Sequence, residues 1–394
     1  MSAAEMRRLF LLDPEVVFLN HGSFGACPAA VFETYQTWQL RLERQPVAFL
    51  DPDRGYAAWM ADTRQALAAD IGAAPDDVVG AVNATHALNL VARSLPLAEG
   101  DEILTTDHEY AALDKTWRFV AARSGARIVT CEVPLPLHDP AAFTDTLIGA
   151  MTDRTRVLFV SHITSPTALC FPIEAAVAEA RRRGIWTVID GAHTPGHIDL
   201  DVTAVGADFY AGNCHKWMMA PKGAAFLHAR QAHQPMLQPL VISHGWDPDR
   251  AAPGPFGGTA FVDAMEMQGT RDPSAWLSVP AALEFRRAHD WPALSATCAA
   301  QARAASERVA RMTGLPPLAA PALTAPQMVA LPVPRCDPHW LKRALLERYR
   351  IEVPVFDWKE NTIVRLSVQC YNSDEDIDLL CGALSDLLSL PAAA

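Results

Sequence analysis

The stretch from Trp186 to Trp217, WTVIDGAHTPGHIDLDVTAVGADFYAGNCHKW, contains two short apolar runs that each lead to an ionisable side chain. Thr187, Val188 and Ile189 run into Asp190, and Ala207 to Ala211 run, through Asn213, Cys214 and His215, into Lys216. Short apolar runs bounded by polar, Gly and Pro residues read as strands of a parallel sheet buried on both faces. Both side chains then emerge at the carboxyl edge of one sheet, where open α/β sheets hold their ligands.

An acid and an amine converging on that edge suit pyridoxal 5'-phosphate (PLP). That cofactor needs a lysine to form a Schiff base with its aldehyde, and a carboxylate to keep its pyridine nitrogen protonated so that the ring can accept electrons. Asp190 and Lys216 are the candidates for these roles. Most Asp/Lys pairs are an ordinary sheet-edge acid and a surface base. This chain, however, is poor in lysine: Lys115, Lys216, Lys222, Lys342 and Lys359 are its full set, and arginine carries the other fixed positive charge. A lysine set between His215 and Trp217 directly after a buried strand is poorly explained as solubilising charge. Lys222 precedes a strand, in PKGAAFLHA, and is the weaker candidate.

The pairing of DGAH with N-C-H-K resembles the class V aminotransferase group of fold-type I PLP enzymes, which includes cysteine desulfurases and isopenicillin N epimerases. The opening FLNHGSFGACP, Phe18 to Pro28, is similar to the isopenicillin N epimerase-like branch. The resemblance implies an α/β fold of the fold-type I PLP-dependent transferase kind: a mostly parallel central sheet flanked by helices, with a smaller α+β C-terminal domain. It divides the chain into a segment 1–30 bordering the active site, a PLP-binding domain 31–275 and a small domain 276–394.

Other segments follow in the expected order. A helix is expected from Ala29 through Leu42 and another from Ala57 to Ile71. The run Val78 to Val82 reads as a strand giving way to a helix near Thr85, with Asn83 and Thr85 as caps; the fresh N–H groups there form an anion site. The resemblance assigns the cofactor phosphate to Ala84, Thr85 and His86, joined by Asn213 and His215. It sets an aromatic ring over the cofactor after the strand Glu102 to Thr106, at His108 or its close competitor Tyr110. His193 matches the position that hydrogen-bonds the cofactor's phenolic oxygen, where desulfurases usually carry Gln. The stretch Pro253 to Trp276 reads as a long Gly- and Pro-rich loop. Its Gly269 and Thr270 match a pair that reaches the partner's phosphate, which implies a homodimer with shared active sites. Towards the C-terminus, alternation around Ile363, Arg365 and Ser367 predicts a strand with one polar face, followed by a helix capped by Ser373. An arginine there can grip a carboxylate with two parallel hydrogen bonds, and Arg365 matches the family's substrate-carboxylate arginine. Asn20, His21 and the Asn20 to Gly25 backbone would border the substrate.

Composition narrows the partners. The chain has 394 residues, enough for a large and a small domain, and a formal net charge of −12 without a compensating Lys/Arg run. Nucleic acid and acidic membrane surfaces are therefore poor partners. Asp13, Pro14 and Glu15 interrupt the N-terminal apolar patch too early for a signal peptide, and no run approaches a membrane span, so a cytoplasmic location is expected. The cysteines, from Cys27 to Cys381, lack C-x-x-C spacing and indicate neither a disulfide framework nor a metal site.

The expected chemistry starts with an amino-acid substrate oriented by Arg365, its α-proton removed by Lys216. Reprotonation from the opposite face, with His108 or Tyr110 as second acid/base, gives epimerisation. Loss of a β-substituent gives C–S cleavage, and proton transfer to the cofactor followed by hydrolysis gives transamination. The resemblance places a desulfurase's mobile nucleophilic cysteine shortly before the substrate arginine, and Glu352 to Lys359 contains no cysteine, so persulfide chemistry is disfavoured. A catalytically silent PLP-binding regulatory protein is the alternative outside enzymology.

Overall fold

The run Thr187–Ile189 forms a strand, Trp186–Gly191, buried throughout from Thr187. It is the middle member of a seven-stranded sheet, described here in a computed structural model that covers residues 1–247, 249, 254 and 256–391. The spatial order is Val78–Ala81, Ala225–Ala229, Phe209–Asn213, Trp186–Gly191, Thr155–Ser161, Glu102–Thr106 and Arg127–Cys131. Ala225–Ala229 runs antiparallel to both neighbours, and the other pairings are parallel.

Alternate residues of the central strands enter two separate cores. Val188, Phe209 and Ala211 pack on one face with Leu88, Val91 and Trp117; Ile189, Tyr210 and Phe226 pack on the other with Phe171 and Val177. Each large apolar side chain so enclosed is worth about 1.5–3 kcal/mol relative to exposure. Burial on both faces is why these strands read as unbroken apolar runs and not as alternation. The helix Ala84–Ser94 covers one face with Ala87, Leu88, Leu90 and Val91.

The remainder builds a second layer beside the sheet. A 23-residue helix, Trp291–Thr313, lies against a three-stranded antiparallel sheet ordered Val355–Trp358, Asn361–Ser367, Met328–Val333. Helices Pro338–Tyr349 and Asp374–Leu388 complete it; the second starts at a capping box between Ser373 and Asp376. The N-terminal segment threads into this unit, since Val17–Phe18 pairs in parallel with Ile351–Glu352. Its first turns therefore sit between sheet edge and small unit.

One sequence expectation needs revision. The Gly/Pro-rich stretch is not one loop: Ala260–Glu266 is helical, with Thr259 accepting the Val262 N–H as its cap, and Ser274–Leu277 forms a further turn. Pro253 and Pro255 lie outside the described residues.

Candidate active site

Five strands of the main sheet end at one cavity of about 770 Å³. Val82 to Thr85, Asp107 to Ala111, Ser161 to Pro166, Asp190 to His193 and Asn213 to Lys216 each contribute to its walls, facing Pro354, Phe356, Asp357, Trp358 and Arg365 of the small unit.

Lys216 ends the Phe209–Asn213 strand and is enclosed. Its Nζ lies 2.9 Å from His193 Nε2, and the Trp217 indole N–H reaches His193 Nδ1 at 3.3 Å. An indole nitrogen only donates, so Nδ1 is the acceptor and the proton of neutral His193 sits on Nε2. That N–H then points at the lysine nitrogen, which accepts only as the free amine. Burial pushes His193 well below its usual range and so keeps it neutral. Burial, followed by the Arg365 charge, takes the Lys216 amine from 10.5 to about 7, with Asp190 opposing. A neutral amine in a closed pocket is a nucleophile and a base.

Asp190 is buried at the strand end. Its Oδ1 accepts the Ala192 N–H at 2.9 Å, and its Oδ2 has no hydrogen-bond partner among the described residues. Burial raises its proton affinity, while the Ala192 N–H and Lys216 counter that effect. This is an acceptor waiting for a protonated nitrogen.

At the other end, the helix Ala84–Ser94 opens on Asn83, whose side chain accepts the His86 N–H at 2.8 Å. Asn213 Oδ1 takes the Ala84 N–H at 2.8 Å. Of the three residues expected to hold a phosphate, only Thr85 keeps an N–H without an acceptor among the described residues. His86 is not on the cavity wall, and its Nδ1 is buried without a hydrogen-bond partner among the described residues. His215 lines the cavity; burial pushes it down to about 4, and its Nδ1 donates to the Ala224 carbonyl.

Arg365 projects from Asn361–Ser367, buried in the wall opposite Lys216's strand. Nη1 donates to the Ser165 carbonyl at 2.6 Å and to its hydroxyl at 3.0 Å, and Nη2 to Ser23 Oγ at 2.8 Å. The guanidinium fork is thereby held in place before any ligand arrives. Asn20 and His21 act behind this wall. Asn20 Oδ1 accepts the Ser23 hydroxyl at 2.5 Å, and His21 bridges Tyr371 and the Lys216 carbonyl at 2.9 and 3.0 Å. Gly22, Ser23 and Phe24 are the N-terminal residues that reach the cavity. Gly25 has φ +70°, and a Cβ there would stand 1.9 Å from the His215 carbonyl oxygen, so only glycine lets this loop lie on the lysine segment.

His108 and Tyr110 part company. His108 is fully buried behind the wall, hydrogen-bonded to Thr167 at 2.7 Å and packed against Phe171 and Trp358. Tyr110 lines the cavity and is 45% exposed. Burial lowers the Arg365 guanidinium to about 10, and Tyr110 opposes that shift. Gly269 and Thr270 are away from this chain's cavity; Gly269 has φ +92° and open space around it. Sequence reading missed Ser23, Ser165, Glu109 and Trp358. Ser23, in the short helix His21–Phe24, and Ser165, in a turn, become partners of Arg365 only through contacts 342 and 200 residues apart in sequence.

The site fits PLP by its own chemistry: a free-base lysine, a carboxylate oxygen without a partner, an uncommitted N–H at a helix start and a pre-set guanidinium border one cavity. The comparisons agree. The family model for aminotransferase class-V matches residues 49–380. Isopenicillin N epimerase of Amycolatopsis lactamdurans is 37% identical over 393 residues, 98% of each chain. A probable chloroplastic L-cysteine desulfhydrase of Arabidopsis thaliana is 30% identical across 95% of this chain and 84% of that protein. Among solved structures, the cysteine desulfurase CsdA of Escherichia coli superposes with a TM-score of 0.80 at 21% identity, covering 99% of both chains. A mutant of C-DES with glycine covalently linked to its PLP cofactor gives 0.79 at 20% identity, covering 96% of this chain and 99% of that one. Sheet, site and relatives together make this chain a member of the aminotransferase class-V family, a PLP-dependent enzyme.

Proposed function

We propose that the enzyme inverts the α-carbon of an amino acid or of a compound carrying an amino-acid end, as an epimerase of the isopenicillin N epimerase kind. The single observation that carries the reading is the Lys216–His193–Trp217 chain, which leaves a neutral amine beside Asp190 and within the field of Arg365. When bound, PLP supplies an electron sink for the pair left on the α-carbon. Lys216 would hold the cofactor's aldehyde carbon, Asp190 its ring nitrogen and His193 Nε2–H its phenolic oxygen. Thr85 N–H, with Asn213 and His215, would hold the phosphate.

Arg365 orients the substrate by its carboxylate with paired hydrogen bonds, taking over from its contacts to Ser23 and Ser165. Lys216 Nζ, already free base near neutral pH, accepts the α-proton on its face. Inversion requires a donor on the other face. Tyr110 is on the cavity wall beside Arg365, whereas His108 is sealed behind it, so the assignment goes to Tyr110 Oη.

The 30%-identical desulfhydrase relative favours a second reading, β-elimination by the same amine. Persulfide formation finds no support, because no cysteine is on the cavity wall among the described residues. The deciding experiment incubates the holoenzyme with single L- and D-amino acids, and with isopenicillin N, in heavy water. Deuterium at the α-carbon with inversion supports epimerisation. Pyruvate with ammonia or sulfide replaces it with a lyase, and absence of any spectral response to substrates leaves a silent binding protein. The proposal extends to a homodimer in which Gly269 and Thr270 approach the partner's phosphate site, and to the cytoplasm. No helix among the described residues is long and apolar enough to cross a membrane.

A further inference from the structure

A second carboxyl is built into the cavity beside Asp190. Glu109 lines the cavity yet is only 6% exposed, and every hydrogen bond it makes is one it accepts. Its Oε1 takes the Thr106 hydroxyl at 2.6 Å; its Oε2 takes both the N–H and the hydroxyl of Ser161, at 2.9 and 2.5 Å. Ser161 is the residue paired with Asp190 across the two adjacent strands, and the next backbone N–H, of His162, donates to the Asp190 carbonyl. Glu109 is thus anchored to the strand position beside Asp190 by three donors of the kind that stabilise a carboxylate.

Such an arrangement is costly unless it does something. Two carboxyl groups in one low-dielectric site repel each other, and an apolar residue at 109 would avoid that. Burial, with Asp190 as a lesser contributor, pushes the Glu109 carboxyl up to about 8 against the pull of Ser161 and Thr106. A positive charge brought to Asp190 would offset that repulsion, because both carboxylates are attracted to it.

We propose that Glu109 is a positioning residue for the cofactor, its carboxylate helping Asp190 to keep the pyridine nitrogen protonated against loss of the proton to solvent. A negative charge next to Asp190 raises the proton affinity of Asp190 and of the ring nitrogen alike, so the proton the two share is held against loss to solvent and the electron sink stays open. Only the retention of a proton is at issue, and no bond to carbon changes. The inference rests on the PLP reading of the site.

The test uses the full chain, stripped of cofactor and reloaded with PLP labelled with nitrogen-15 in the ring. The nitrogen-15 chemical shift reads the ring proton directly, and reconstitution gives the dissociation constant. Glu109→Gln keeps the shape and removes the charge. Its ring nitrogen should move towards the unprotonated shift and its PLP affinity should fall about tenfold, as for a one-unit change in proton affinity. Glu109→Asp, which keeps the charge, should restore much of both. Should Glu109→Gln fail to fold, Ser161→Ala removes one donor from the carboxylate and should move the shift the same way by less. An unchanged ring-nitrogen shift in a folded, PLP-loaded Glu109→Gln or Ser161→Ala variant overturns the proposal. If the unmutated chain binds no PLP, the cofactor reading fails instead, before Glu109 is in question.

Discussion

Acid should unfold the cofactor-free chain well above the pH at which most proteins of this size give way. His21, His162 and His197 are buried and neutral, burial pushing them to about 3, 4 and 3 from 6.5. A histidine depressed in the folded state binds fewer protons than the unfolded chain, so stability is fully present above pH 6.5 and is lost as pH falls towards the folded values. At pH 5 the unfolded imidazole is almost wholly protonated and the buried one is not. The 1.5-unit interval is worth about 2 kcal/mol per histidine, or about 6 kcal/mol for the three, at 1.36 kcal/mol per unit. That is comparable to the whole of a typical domain stability of about 5–15 kcal/mol. Urea unfolding followed by tryptophan fluorescence at pH 7.5 and 5 measures the drop. His197→Phe retains a ring over Trp217, which His197 stacks upon at 3.9 Å, and removes one titrating site. Whatever that variant does to stability at pH 7.5, the fall to pH 5 should shrink by about 2 kcal/mol. An identical fall in both chains would show that His197 does not titrate on unfolding, and would refute the reasoning.

Arg365→Lys should lower kcat/KM for an amino acid about 10- to 100-fold, chiefly through KM, because one ammonium replaces a fork held by Ser23 and Ser165; steady-state kinetics decides, and an unchanged KM would remove Arg365 from carboxylate binding. Gly25→Ala combines a positive-φ extended backbone that favours glycine, unfavourable by about 1–3 kcal/mol, with a collision at the His215 carbonyl. It should weaken PLP retention as well as stability, and normal retention would separate the N-terminal loop from the lysine segment. Tyr110→Phe should slow inversion by about 10²- to 10⁴-fold while leaving α-proton exchange from the Lys216 face intact. Equal loss of both would assign the hydroxyl another role.

The fold and its catalytic pole were legible because they rest on local patterns. Val188 and Ile189 enter opposite cores, so their strand had to read as apolar throughout, and Asp190 and Lys216 follow such runs directly. The cap at Ser373 and the polar face at Arg365 were equally local. What escaped depends on distant pairing. Ser23 and Ser165 carry no mark in sequence of their bond to Arg365, and Glu109 looks like one polar residue of a loop until Ser161 is brought to it. His108 and Tyr110 are two positions apart in an irregular turn, where no period tells which side chain faces the cavity. The helix Ala260–Glu266 was hidden by neighbouring Gly and Pro, although Thr259 before Ala260, Phe261 and Val262 was a cap in plain view.

The central claim is that Lys216 is the amine that holds PLP and moves the α-proton. Its most direct measurement is the visible absorption of the purified, PLP-reconstituted chain beside Lys216→Ala, with borohydride reduction and peptide mapping of both. The account predicts a visible band in the unmutated chain, its loss in Lys216→Ala, and the reduced cofactor attached at residue 216. A band that persists in Lys216→Ala, or a reduced cofactor mapped to Lys222, would contradict it.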